Sequence, residues 1–167
     1  MAFSLTELNR MNQAEFVNAL GAIFENTPTI AAAAWSARPF TSVAVLHQIM
    51  VDVVHQLSLA EQLDLIRAHP DLGSKAKMAA ASVQEQSSIG LDRLSPEEFD
   101  QLQSFNQAYK EKFGFPFIIA VKNHTKTSIL AAFQTRLNHS IEAERQQALN
   151  QIFQIAWLRL VEQVSEP

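Results

Sequence analysis

The chain has 167 residues, 47% of them hydrophobic and 18% charged, a balance that fits one globular domain with a sizeable core and excludes disordered and collagen-like classes. A formal net charge of -4 gives no electrostatic reason to bind nucleic acid or an anionic membrane. The absence of cysteine removes disulfides, thiolate nucleophiles and cysteine-ligated zinc.

The chain opens on MAFSLTELNR, without a basic region followed by an apolar run, and closes on VEQVSEP, which is not a Ser-Lys-Leu address. No apolar stretch approaches the roughly 20 residues that cross a bilayer. A cytoplasmic protein is expected. Asn12 with Glu15 three residues later predicts a helix start, and Phe16, Leu20, Ile23 and Phe24 follow on one helical face. Thr27-Pro28 ends or restarts that helix. A short helix through Ile30 and Trp35 follows, until Arg38-Pro39 interrupts. Val43, Leu46, Met50, Val53, Val54 and Leu57 then form a stripe over about residues 42 to 57, wide enough for a central helix.

Ser58 with Glu61 opens the next helix, which can run only to about Ala68, because Pro70 pushes His69 out of the helical region. Residues 69 to 81 carry little pattern and predict a loop with a helical turn through AKMAAA. Ser82-Val-Gln-Glu85 has the spacing of a capping box. The strongest start is Ser95-Pro96-Glu97-Glu98, with a proline at the first helical position and an acid at the third, and that helix should run to about Phe113. GFPFIIAV, residues 114 to 121, is apolar throughout but short and broken by Gly114 and Pro116, so it predicts buried extended chain. Helices resume after Thr125, with Ile129, Leu130, Phe133 and Leu137 on one face, and after Ser140, with Leu149, Ile152, Phe153, Ala156 and Leu160. The fold class is all-α: a single-domain helical bundle, residues 1 to 167, with one short extended segment near 114 to 121.

Four features carry chemistry, each with a plainer alternative. His69, in AHPDL, is either a helix-terminal surface residue or an imidazole whose orientation the proline restricts, which suits a proton donor. Glu85 is either the reciprocal half of a cap or part of a helix start that receives ligand oxygens. The side chains of 114 to 121 read as core. Its backbone has no strand partner, however, and needs hydrogen bonds that a heterocycle with amide-like edges would supply. Arg159 lies on or beside the apolar stripe of the last helix, where it either pairs with an acid or clamps a ligand carboxylate. His47 and His55 are eight apart without a recognisable metal spacing, and no GxGxxG, P-loop or GxSxG is present.

The ordered set AHPDL (68 to 72), SVQEQ (82 to 86), GLDRLSPEE (90 to 98), FGFPFIIAV (113 to 121) and ALNQIFQIAWLRL (148 to 160) resembles the 2-oxo-4-hydroxy-4-carboxy-5-ureidoimidazoline (OHCU) decarboxylases. FVNALGAIFENTP (16 to 28) and AAAWSARPF (32 to 40) are similar to that family as well, so the resemblance covers nearly the whole chain. It implies a helical, usually dimeric enzyme of urate degradation that forms (S)-allantoin from OHCU without metal or organic cofactor. By the resemblance, His69 and Glu85 are catalytic, with His69 the proton donor. The substrate-binding set is Pro70, Ser82, Val83, Gln84, Glu85, Gln86, Phe117, Ile118, Ile119, Ala120, Val121 and Arg159. HPDLGSKAKM stands where the family commonly has HPDLAGKAA, and AVKNHTK where it has AVRGxxK, departures that touch loop detail.

A mechanism follows from the substrate itself, whose unsaturated ring beside the carboxylated carbon is an electron sink. The protein then supplies orientation and a proton on one face. The expectation is that backbone groups of 117 to 121 and the helix start at Val83 to Gln86 hold the ring and ureido group. Glu85 then aligns the tertiary hydroxyl, and Arg159 flanks the substrate's polar periphery. Two rivals belong to other classes: a non-catalytic helical binding module for a heterocycle or protein partner, and a metal-dependent hydrolase using His47, His55 or His69.

Overall fold

The computed structural model describes residues 2–74 and 79–167. Nine helices are present among them: α1 (Leu5–Arg10), α2 (Gln13–Leu20), α3 (Thr29–Ala34), α4 (Val43–Gln56), α5 (Leu59–Arg67), α6 (Ala80–Ser88), α7 (Pro96–Phe113), α8 (Lys126–Arg136) and α9 (Ile141–Gln163). Two-residue strands β1 (Phe3–Ser4) and β2 (Val164–Ser165) pair in parallel, Phe3 opposite Val164. The all-α expectation holds. No single helix among the described residues is long and apolar enough to cross a bilayer.

The helix starts are explained by their caps. The Asn12 side chain accepts from the Glu15 N–H while the Glu15 carboxylate accepts from the Asn12 N–H, and Ser58 with Glu61 and Ser95 with Glu98 repeat the arrangement. Each such cap contributes about 1 kcal/mol. Gly114, at φ 78, closes α7 in the left-handed conformation that glycine adopts without strain.

The chain packs as two compact units, Met1–Leu65 with Phe153–Pro167, and Ile66–Ile152. In the first, α3 packs on α2 and α4. Phe16, Ile23 and Phe24 are buried as predicted, although α2 ends at Leu20 and a turn carries the last two. The predicted α4 stripe is buried at Val43, Leu46, Met50 and Val54. In the second unit, Tyr109, Phe117 and Phe133 are buried against one another, with the Phe117 and Phe133 rings stacked at 3.7 Å between centroids.

Two further predicted boundaries need correction. α6 begins at Ala80 rather than after Ser82, with Ala79 as its non-helical cap. The proposed capping box at Ser82 and Glu85 therefore does not form: Ser82 is already the third helical residue, and alanines open the helix without a side-chain cap. Of the helical turn expected over 76 to 81, residues 76 to 78 lie outside the described residues, while Ala80 and Ala81 are the first turn of α6. Residues 114 to 120 are non-helical as predicted, but Val121 turns into a 3-10 turn, Val121–Asn123, whose chain reversal is closed by Asn123 N–H on Ala120 C=O.

Candidate active site

α5 ends at Arg67, one residue before the expected limit. Beyond it the His69 N–H donates to the Ile66 carbonyl oxygen at 3.2 Å, and Pro70, which has no N–H, stops the ladder. His69 is 9% exposed. A surface helix terminus would leave the imidazole in solvent, so the burial favours the alternative in which the ending orients it. Arg67 Nε donates to the Gly114 carbonyl oxygen at 3.2 Å and so ties the end of α5 to the beginning of the extended segment.

Because α6 starts at Ala80, the Val83 N–H already donates to the Ala79 carbonyl at 3.1 Å. The expected use of backbone N–H groups from Val83 to Gln86 is thereby overturned. Those groups lie inside the helix, and the residues offer side chains only. Ser82 and Gln86, four apart, are buried on one face; Glu85 is half-buried beside them, and Val83 and Gln84 face solvent. Gln86 joins α6 to the loop that follows His69, its Oε1 accepting the Gly73 N–H at 2.9 Å. α6 also packs on the Val121–Asn123 turn.

The extended segment has two unlike edges. On one, Arg136 Nη1 donates to the Ile118 carbonyl oxygen at 2.7 Å, and the Ala120 N–H donates to Gln151 Oε1 at 3.0 Å. On the other, the N–H and C=O groups of Phe117 and Ile119 have no partner among the described residues, although both residues are buried. Successive peptide groups of extended chain point to opposite sides, so satisfying Ile118 and Ala120 on one side leaves Phe117 and Ile119 on the other. Buried peptide groups are nearly always paired, which makes this edge a candidate for a ligand with complementary donors and acceptors. The Phe117 side chain is core as expected, with the Arg136 guanidinium 4.1 Å above its ring.

Arg136 itself is held by Glu144 through Nε contacts of 2.7 and 3.0 Å, and both side chains are almost wholly buried. Burial raises the Tyr109 phenol pKa, with the charges of Arg136 and Glu144 acting in opposite directions on it. Burial, and secondarily Arg136, lowers that of His124, whose Nδ1 lies 3.0 Å from Ser128 Oγ. Sequence reasoning missed Arg136, Glu144 and Gln151 as parts of this site. The signal was present: Arg136 continues the Ile129–Phe133 face, and Glu144 and Gln151 share a face with Ala148 and Ile155, so each is a polar residue at a period position that belongs to the core.

Arg159 belongs to the other unit. It is 3% exposed, with Nη2 3.1 Å from Glu25 Oε2 and Nη1 donating to the carbonyls of Ala22 and Ile23 at 3.2 and 3.3 Å. The acid-pairing alternative is therefore realised at this residue. In the same unit His47 Nε2 lies 2.8 Å from the Phe153 carbonyl oxygen and its ring meets Trp157 edge-on, while His55 stands edge-on to Phe153. Among the described residues no three His, Asp or Glu side chains are grouped to hold a metal ion.

Comparison with known proteins agrees over nearly the whole chain. Residues 9–161 match the family model described as OHCU decarboxylase. The 2-oxo-4-hydroxy-4-carboxy-5-ureidoimidazoline decarboxylase of Halalkalicoccus jeotgali is 43% identical over 95% of this chain and 90% of its own length, and that of Haloferax volcanii is 43% identical over 97% and 96%. The chain is 41% identical to one third of the uric acid degradation bifunctional protein of Bacillus subtilis. Among solved structures, (S)-allantoin synthase superposes with a TM-score of 0.77 at 30% identity, over 96% of this chain and 54% of that one.

Proposed function

The chain belongs to the OHCU decarboxylase family, and from that premise we propose how its residues divide the work of converting OHCU to allantoin in urate degradation. The family match runs through both compact units, so 1 to 167 is taken as one functional domain. The observation that carries the reading is a buried imidazole, His69, in the same unit as a buried peptide edge at Phe117 and Ile119 without partners among the described residues.

The substrate's ring presents amide-like donors and acceptors, which the edge of Phe117 and Ile119 matches without a charged side chain. Glu85, half-buried on α6, accepts a hydrogen bond from the tertiary hydroxyl and turns the carboxylate out of the ring plane. The carbon–carbon bond to the carboxylate then breaks, its electrons pass into the adjacent unsaturated ring, and carbon dioxide leaves. His69 gives its proton to the neighbouring, ureido-bearing ring carbon from one side, which fixes the S configuration, while the hydroxyl of the decarboxylated carbon becomes the ring carbonyl and its proton goes to the ring nitrogen that took up the electrons. Orientation and a placed acid account for the catalysis, and because the substrate holds its own electron sink the reaction as proposed calls for no metal or organic cofactor.

Ser82, Pro70 and Gln86 shape the site, and the N–H groups of Val83 to Gln86, which lie inside α6, do not bind the ring. A cavity of ≈ 470 Å³ lined by Gly73, Leu94, Phe99, Asp92 and Asp100 is not assigned to the substrate, because its two carboxylates repel an anion. We take the working form to be a cytoplasmic homodimer.

The experiment generates OHCU in situ from urate, adds the purified protein, and follows both the decay of the intermediate's absorbance and the circular dichroism of the product. Faster decay with a single enantiomer supports the assignment. Binding of allantoin-like heterocycles without faster decay would instead support the binding-module reading, and unchanged decay without binding would remove both.

A further inference from the structure

The loop that follows His69 is gripped along one face of α7. Leu102, Asn106 and Lys110 stand at i, i+4 and i+8, so their side chains point the same way. They meet three consecutive loop residues in antiparallel order. Lys110 Nζ lies 3.2 Å from Asp71 Oδ2, and Asn106 Nδ2 donates to the Leu72 carbonyl oxygen at 2.9 Å. Leu102 packs so close to Gly73 that a Cβ built there would stand 2.7 Å from its Cδ2. α6 adds a fourth hold through Gln86 on the Gly73 N–H. The grip begins two residues after His69, and the residue between is Pro70, whose ring fixes its own φ and restricts the histidine before it.

Asn106 is the unusual member. It is 2% exposed, yet only one end of its amide is satisfied: Oδ1 is buried without a hydrogen-bond partner among the described residues. An apolar residue of similar volume would avoid that desolvation but would leave the buried Leu72 carbonyl without a donor, so the amide is kept for its bond to this one backbone oxygen. What the amide supplies, and leucine would not, is a directed bond to the backbone three residues beyond the imidazole.

We infer that the Leu102–Asn106–Lys110 face of α7 is a splint that sets the direction of the His69 imidazole, with Asn106 its positioning residue. The inference rests on His69 being the proton donor. Asn106 touches no reacting atom; it acts through Leu72 and Pro70. A donor displaced by about 1 Å loses as much as a hundredfold in rate, because proton transfer requires hydrogen-bond distance to one carbon face. Misaiming also lets water protonate the opposite face, so the stereochemical purity of the product reports on the splint separately from fold stability.

The test compares wild type with Asn106→Leu, Asn106→Asp and Lys110→Met in the urate-coupled assay, measuring kcat, KM, enantiomeric excess of allantoin and thermal midpoint. Both Asn106 variants are expected to lose about tenfold or more in kcat, with KM changed less than about twofold and a measurable fall in enantiomeric excess at temperatures where each is folded. Lys110→Met alters only the half-exposed end of the splint, so it folds whatever the Asn106 variants do. It should lower kcat by about threefold in the same direction. Wild-type acceleration with unchanged kcat and enantiomeric excess in all folded variants would overturn the splint. Absence of wild-type acceleration would instead overturn the functional reading beneath it.

Discussion

Arg136 reaches from the last turn of α8 to the carbonyl oxygen of Ile118 at 2.7 Å, so a buried cation fixes one edge of the extended segment while the opposite edge at Ile119 has no partner among the described residues. Gln151 completes the hold through the Ala120 N–H. Replacing Gln151 by leucine leaves that N–H buried without an acceptor, which costs about 1–3 kcal/mol of stability. It also loosens the segment whose opposite edge, at Phe117 and Ile119, is proposed to bind the substrate, so KM should rise more than kcat falls. Denaturant melts and steady-state kinetics check the two parts independently, and a variant with unchanged KM would mean that the edge does not bind substrate. Arg136→Met is the harsher change. Glu144 is then a buried carboxylate without its cation, and the expected loss of about 3–5 kcal/mol leaves little stable enzyme.

His69→Ala removes the proposed acid without adding bulk. Turnover should fall by at least about a hundredfold, and the residual product should be nearly racemic because solvent can protonate either face. The melting temperature should move little beside that change. Turnover and enantiomeric excess near wild type would exclude His69 from the proton transfer.

Glu85→Gln separates two roles that are inseparable in the sequence. As a cap, Glu85 would be expected to affect stability, but α6 begins at Ala80 and the third helical residue is Ser82, so the carboxylate has no capping function to lose. The variant is expected to melt within about 0.5 kcal/mol of wild type, as half-exposed substitutions usually do, while losing turnover. Loss of stability with normal turnover would reverse the assignment.

The fold was legible wherever a local rule governs it. Ser95, Pro96 and Glu98 define a helix start by themselves, and the stripe from Val43 to Val54 identifies a buried face without any knowledge of its neighbours. The α6 boundary was not legible in the same way. Ser82 and Glu85 have the spacing of a box, but the preceding alanines are good helix formers and extend the helix past it, so two local rules competed and propensity prevailed. The site was legible as a set of segments, since the proline after His69 and the apolar run 114 to 121 are both departures from the helical pattern. The supporting residues were hidden because each is a single polar side chain on a core face. Arg136 needs Glu144 eight residues later and Ile118 eighteen residues earlier before its position makes sense.

Acid should weaken the fold in two separable steps. The Glu98 carboxyl is held below its ordinary value of 4.5, first by the Ser95 N–H and then by Lys126 at 3.3 Å. A depressed carboxyl contributes stability that is complete above the unfolded value and is lost as pH falls through the folded one, so this step lies below about pH 4.5. His124 acts at milder pH. Burial and Arg136 hold its imidazole pKa below 6.5, so the unfolded chain takes up the proton first. Its contribution is therefore present above about pH 6.5 and declines as pH drops through the folded value. Melting His124→Gln beside wild type between about pH 7.5 and 5 should show a flatter pH dependence for the variant on the acid side, with catalysis at pH 7.5 retained. Parallel curves for the two proteins would mean that protonation of His124 is not what weakens the fold in that range.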